Sequence, residues 1–255
     1  MFANYHTHTT RCNHAEGTER EYVESAVSGG LKILGFSDHT PYLFGDYHAS
    51  GIRMAPEELE DYVSKVLSLR EEYHDRLEIR IGVEAEFYPD YFDRTVDFLR
   101  SFEVEYMILG QHSLGNQDDY TYTGRPTEDE NFLNRYCAQC RDGLDSGLFT
   151  YFAHPDLINY VGDERIYERH IRPLIRFAVD RNIPLEINLL GLREGRHYPY
   201  DPFWKLAGEE GAAVVLGSDA HQPQVVIDPD SEAIALQLCE KYGLKLIENP
   251  SLILL

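Results

Sequence analysis

Short apolar runs and longer stretches of helical periodicity alternate along the whole chain, and few folds accept that pattern. The apolar runs read as strands at Phe2 to Tyr5, Leu31 to Phe36, Leu77 to Val83, Tyr106 to Gly110, Phe149 to Ala153, Leu185 to Leu189 and Ala213 to Leu216, with Leu244 to Ile247 as a candidate further strand. Between them, Thr18-Glu19-Arg20-Glu21 has capping-box form and opens a helix reaching about Gly29. Pro56 to His74 carries Leu59, Tyr62, Val63, Val66 and Leu69 at helical spacing, and Phe92, Val96 and Leu99 share a face of a helix starting at Pro89. A second capping box, Thr127 to Glu130, opens a helix to about Ser146. Asp163 to Arg181, Phe203 to Glu209 and Ser231 to Tyr242 complete the set, with Pro173 as a kink point. Asp46 to Ala55, Asn116 to Pro126 and Gly191 to His197 read as loops. Strands alternating with helices predict an α/β fold with a mainly parallel sheet, and about seven units suit a closed barrel. No linker interrupts the 255 residues, so a single domain spanning 1–255 is expected.

In such barrels the loops after the strands carry the active site. His6 and His8, His39, Glu84, His112, His154, and Asp219 with His221 all fall at or just past a strand end, and His14 lies in the turn after the first strand. His6 and His8, two apart in an extended segment, project to one side and can grip one ion. Seven histidines with Glu84 and Asp219 are too many ligands for one divalent ion, since four to six donors satisfy zinc, manganese or iron. Two or three ions sharing a bridging carboxylate are expected, with Glu84 as the bridge. The other four histidines, His48, His74, His170 and His197, do not sit at strand ends in this way, and His74 and His170 read as solvent-facing helix positions.

Acidic residues outnumber basic ones 44 to 23, a formal charge of −21, which argues against a grip on long nucleic acid and leaves room for bound cations. No apolar run is long enough to cross a bilayer and no leader precedes the first strand, so a cytoplasmic protein without a membrane partner is expected. Cys12, Cys137, Cys140 and Cys239 are too few and scattered for a disulfide framework. The Cys137 and Cys140 pair reads as two buried thiols on adjacent helical turns.

The set HTHTTRCNH, SDH, GVEAE, GQHS, AHPD and GSDAH resembles the polymerase-and-histidinol-phosphatase (PHP) family over essentially the whole chain. It is nearest the histidinol-phosphatase branch, which shares a Cys-x-His first loop and a later EIN followed by GLR, here Glu186-Ile187-Asn188 and Gly191-Leu192-Arg193. The resemblance implies a distorted seven-stranded (β/α)7 TIM-like barrel with a two- or three-metal centre of zinc, manganese or iron. It assigns His6, His8, Glu84 and Asp219 to one ion, Glu84, His112 and His154 to a second, and His14, His39 and His221 to a third. Asp38 would stand behind the ligands.

Paired divalent ions acidify water and clamp phosphoryl oxygens, so hydrolysis of a small phosphate ester is the expected reaction, with histidinol phosphate first in line. Hydroxide between the ions held by Glu84 would attack phosphorus, with Asp219 as a further candidate catalytic residue. His197, a metal-bound water and the substrate's own ammonium are all candidates to protonate the leaving alkoxide. Arg193 and Arg165 are the candidate phosphate clamps, ahead of Arg196 and Arg53, because guanidinium meets phosphate with two donors. Asn188 would hold substrate or a water, and Glu16, Glu86 or Asp156 would receive the substrate's amine and imidazole. Another phosphoesterase on the same centre and a non-catalytic metal-binding module are the competing readings. A metal-dependent C–N hydrolase also begins with HxH, but no lysine stands at a strand end to bridge its ions.

Overall fold

The computed structural model describes residues 1–44, 51–116 and 121–255. Among the described residues eight strands form one sheet, all parallel and in chain order: β1 (Ala3–Asn4), β2 (Ile33–His39), β3 (Glu78–Ala85), β4 (Tyr106–Leu109), β5 (Phe149–Phe152), β6 (Leu185–Asn188), β7 (Ala213–Gly217) and β8 (Lys245–Leu246). The helices are α1 (Glu19–Ser28), α2 (Leu59–Tyr73), α3 (Phe92–Arg100), α4 (Glu130–Asp145), α5 (Glu164–Asp180), α6 (Leu189–Arg193), α7 (Asp201–Glu209) and α8 (Pro229–Tyr242).

The fold class holds, but the closed seven-stranded barrel is corrected to an open, distorted, TIM-like half-barrel of eight strands. β8, the further strand at Leu244 to Ile247, pairs with Ala213 and Val214 and so takes the foot of the β7 edge. β1 reaches that edge only at the top, where Thr7 bridges Ala220 in parallel and the His8 N–H donates to the Ala220 carbonyl. The seam therefore opens at the bottom and meets at the rim that carries the ligands.

Period two sorts each strand's residues. Leu34 and Phe36, Ile81 and Val83, Met107 and Leu109, and Val214 and Leu216 pack with the helices in the main core. Ile33, Tyr106, Ile108, Tyr151, Ala153 and Val215, with Tyr5, form a second cluster that plugs the concave side. Tyr106 fits only because Gly35 and Gly82 face its ring, and its hydroxyl donates to the Tyr5 and Phe36 carbonyls at 2.9 and 3.1 Å. Above this apolar floor the same inward registers carry Glu84 and Glu86, Glu186 and Asn188, and Asp219.

Local signals place most helix ends. Thr18 and Glu21 form the expected capping box on α1, and Gly243 ends α8 in the left-handed region at φ 65°. The box expected at Thr127 to Glu130 is not used: Asp129 caps α4 by accepting from the Asn131 N–H, while Thr127 bridges Tyr160. The segment after Asn188, read as loop, winds into the short helix α6. Pro173 sits inside α5. Cys12, Cys137, Cys140 and Cys239 are all buried free thiols. Among the described residues no helix is long and apolar enough to cross a membrane.

Candidate metal centre

The nine predicted ligands meet in one place. His6, His8 and Asp219 offer donor atoms within 4.8 Å of one another, and so do His14, His39 and His221. Glu84 stands between the groups. Its Oε1 faces His154 Nε2 at 2.7 Å and His112 Nε2 at 3.5 Å, while its Oε2 faces His39 Nδ1 at 3.1 Å, His6 Nε2 at 3.5 Å and His8 Nε2 at 3.6 Å. Gly110 and Gly217 make this possible, because a methyl group at either would overlap the carboxylate of Glu84 or of Glu186 respectively. Two ligands are held in uncommon backbone, His154 at φ 29° and Asp219 at φ 46°. Such non-glycine positions cost on the order of 1–3 kcal/mol and gather at functional sites.

Behind the ring atoms that face the centre stand anchors for His6, His112 and His14. His6 Nδ1 donates to Glu186 Oε1 at 2.8 Å, His112 Nδ1 to Glu86 Oε1 at 3.2 Å, and His14 Nδ1 to the Cys12 carbonyl at 2.7 Å. His8 Nδ1 lies 3.5 Å from Asp38 Oδ1. Asp38, expected behind the ligands, also accepts from the backbone and hydroxyl of Thr9 and from the His39 N–H. An imidazole that donates through one nitrogen presents a lone pair on the other, which is the form a cation takes up.

The charge balance points the same way. Asp38, Glu84, Glu86, Glu186 and Asp219 are all buried, and burial of unpaired carboxylates costs several kcal/mol each. Burial opposes ionisation of Glu84, yet His112, His6 and His39 hold its carboxyl well below the usual range. Asp219 is likewise held low by His6 and His8 against its own burial. His6, despite burial, is raised well above an ordinary imidazole by Glu186, Asp219 and Glu84. His221 is pushed down to about 3 by burial and the neighbouring His8. His6 Nε2, both nitrogens of His8, His39 Nδ1, Glu84 Oε2, Asp219 Oδ1 and His221 Nε2 are buried without a hydrogen-bond partner. Orphaned donor atoms of both kinds, aimed at one another around ionised carboxylates, fit divalent cations.

The centre floors a cavity of about 580 Å³ lined by His14, His39, Glu84, His112, His154, Asp219 and His221. Its walls carry Arg193, Arg196, Glu194, Tyr122, Tyr198, Leu157 and Leu190. Arg193 is set by Asp228 Oδ2 at 3.0 Å and the Ser218 carbonyl at 3.4 Å. Arg196, ranked behind it from the sequence, also reaches the wall, bonded to Glu194 and the Tyr198 hydroxyl.

Other candidate residues stand apart from the cavity or are engaged elsewhere. Arg165 is 90% exposed beside Asp163 at the start of α5 and does not line the cavity. Asn188 is buried: it caps α6 by accepting from the Gly191 N–H and donates to Glu186 and Asp219, and it does not line the cavity. His197 lies outside the cavity lining and donates from Nε2 to the Leu157 carbonyl at 2.8 Å. Glu86 is consumed by Arg53 and His112, and Asp156 is buried outside the cavity lining, with Oδ2 accepting from Trp204 and the Tyr200 N–H. Glu16 is exposed away from the lining. His170, expected in solvent, is half-buried against Glu130, while His74 is exposed as expected and His48 lies outside the described residues. Glu186 was not singled out as an anchor. The alternation Glu186-x-Asn188, like Glu84-x-Glu86, was the signal, since it points both side chains of the pair inward.

Residues 4–189 match the PHP domain family model. A "Probable histidinol-phosphatase" of Deinococcus radiodurans is 31% identical over 227 residues, 86% of this chain and 85% of that protein. The histidinol-phosphatase of Bacillus subtilis is 25% identical over 252 residues, 85% of this chain and 92% of that protein. The crystal structure of the Lactococcus lactis histidinol phosphate phosphatase, complexed with zinc, L-histidinol and phosphate, superposes with a TM-score of 0.76 at 21% identity, covering 98% of this chain and 96% of that one. The chain belongs to the PHP domain family.

Proposed function

We propose that this chain, folded as one domain over 1–255, is a metal-dependent phosphomonoesterase that hydrolyses L-histidinol phosphate to L-histidinol and phosphate. The observation that carries the reading is the set of orphaned, buried ligand atoms around Glu84 on the floor of an open cavity, in a chain whose relatives are named histidinol-phosphatases. His6, His8 and Asp219 would hold one cation, His112 and His154 a second, and His14, His39 and His221 a third. Glu84, with one oxygen turned to each side, would bridge. Zinc, manganese and iron all suit this nitrogen and oxygen set. When bound, such ions lower the pKa of water and polarise the phosphoryl group.

The chain's own residues do the rest. Arg193, braced by Asp228, presents its guanidinium on the wall above the centre, where it can neutralise non-bridging phosphate oxygens. Arg196 offers a second positive charge on the same wall. Tyr122, Tyr198, Leu157 and Leu190 give flat and aliphatic walls that suit an imidazole ring. Asn188 keeps Glu186 and Asp219 oriented, and Glu186 keeps His6 oriented.

The test is a panel of histidinol phosphate, sugar phosphates, nucleotides and short oligonucleotides against protein reconstituted with zinc, manganese or iron. Histidinol phosphate is expected to lead in kcat/KM by at least about tenfold, or ~1.4 kcal/mol of transition-state binding. A different ester in first place would replace the substrate and keep the chemistry, while loss of no activity on chelation would end the metal-dependent reading.

A further inference from the structure

We propose that the buried Arg53–Glu86 pair is a positioning device that sets the tautomer and aim of His112, so that the cation site shared by His112, Glu84 and His154 depends on a guanidinium that never meets the cation. The proposal rests on the metal-centre reading above and adds a residue to it.

Glu86 lies two residues beyond Glu84 on the inward register of the chain leaving β3, yet it does not line the cavity. Both its oxygens are claimed. Arg53 Nη1 reaches Oε2 at 2.9 Å and Nη2 reaches Oε1 at 3.2 Å, a two-pronged contact between side chains that are both almost fully buried. Oε1 also accepts from His112 Nδ1 at 3.2 Å. With Nδ1 carrying the proton, the lone pair of His112 sits on Nε2, the atom turned toward Glu84. A carboxylate without its guanidinium would be a buried, uncompensated charge no longer held in place, and the imidazole would lose its anchor.

Arg53 is itself fixed from several sides. Its guanidinium lies 5.2 Å from the centre of the Tyr42 ring, and Nη1 approaches the Thr40 carbonyl at 3.5 Å. Thr40 in turn donates through its backbone N–H and hydroxyl to the Glu84 carbonyl at 2.9 and 2.8 Å. The Arg53 carbonyl accepts from Asn13 Nδ2 at 3.2 Å, in the loop that carries His14. Gly51 and Ile52, immediately before it, form part of the cavity wall. One residue thus ties a substrate-facing wall to two ligand-bearing loops. Lysine would keep the charge but not the fork that engages both oxygens of Glu86.

The experiment measures manganese stoichiometry and affinity by calorimetry and by the Mn²⁺ EPR signal, on wild-type protein and on Arg53→Met, Arg53→Lys, Glu86→Gln and the Arg53→Met/Glu86→Gln double variant, with the melting temperature of each metal-free protein alongside. Arg53→Met and Glu86→Gln should each weaken one class of site by about 10- to 100-fold, leaving the other sites at wild-type affinity. The double variant should be no worse than the weaker single one, and Arg53→Lys should fall between Met and wild type. Unchanged stoichiometry and affinity in both single variants would overturn the proposal, as would equal weakening of every class together with a lower metal-free melting temperature. If Arg53→Met does not fold, Glu86→Gln and Arg53→Lys decide the matter by the same readouts. Wild-type protein that binds no more than one ion would instead remove the multi-metal reading on which the proposal stands.

Discussion

Glu186 Oε1 and His6 Nδ1 meet at 2.8 Å with both side chains fully buried, joining strand β6 to the first ligand of the chain across the concave face. The other oxygen of Glu186 accepts from the His154 N–H at 3.0 Å, so one carboxylate fixes an imidazole of one ligand group and the backbone of a second.

Replacing Glu186 with glutamine keeps the shape and removes the charge that raises His6. Metal affinity should fall by about 10- to 100-fold, measured by competition with a chelator, while the metal-free fold persists. Wild-type affinity in Glu186→Gln would show that His6 needs no charged anchor.

Arg193 faces the cavity whereas Arg165 stands in solvent. Arg193→Ala should raise KM and lower kcat/KM for a phosphomonoester by about 10- to 100-fold, the worth of one charge-assisted contact, with metal content unchanged. Arg165→Ala should leave steady-state kinetics as they are. Equal loss in the two variants would put the phosphate somewhere other than the Arg193 wall.

At Gly110 an added methyl group would overlap Glu84 Oε1 and lie 2.7 Å from its carboxyl carbon. Gly110→Ala should therefore destabilise the metal-free protein by about 1–3 kcal/mol through overpacking and should also displace the Glu84 carboxylate. Denaturant melts and metal analysis are the readouts. A variant with normal metal content would mean that Glu84 has room to move without loss.

Burial raises every free thiol. Cys137 is pushed up to about 12 and Cys239 to about 11, and desolvation also lifts Cys140 well above its ordinary value. A raised thiol pKa lowers the thiolate fraction, so at pH 8 a thiol titrating near 11 is ionised at about one part in a thousand. Ellman's reagent at pH 8 should find almost no reactive thiol in the native protein and all four after denaturation. Rapid reaction of one equivalent in the native state would expose a site that opens.

The ligands were legible because they are local. His6 and His8 share a strand register, and His39, His112 and His154 each follow an apolar run, so chain position alone placed them on one rim. The buried anchors behind them were harder, since Glu186 and Arg53 gain their meaning from partners 180 and 33 residues away. Arg165, Asn188 and His197 differ in the other direction: each stands beside a candidate motif, yet solvent, a helix cap and the Leu157 carbonyl engage their side chains.

The amino-acid order by itself determined the alternation of strands and helices, the parallel sheet and the roster of candidate ligands at one rim, because periodicity, caps and strand-end positions are properties of neighbouring residues. The eighth strand at the foot of β7, the open seam beneath the Thr7 and Ala220 bridge, the turning of Glu84 toward two sides and the choice of Arg193 over Arg165 were decided only by the tertiary structure. Those outcomes depend on which edge is already paired, which glycine leaves room and which counter-charge arrives from a distant segment, and such competition is settled only when the chain packs.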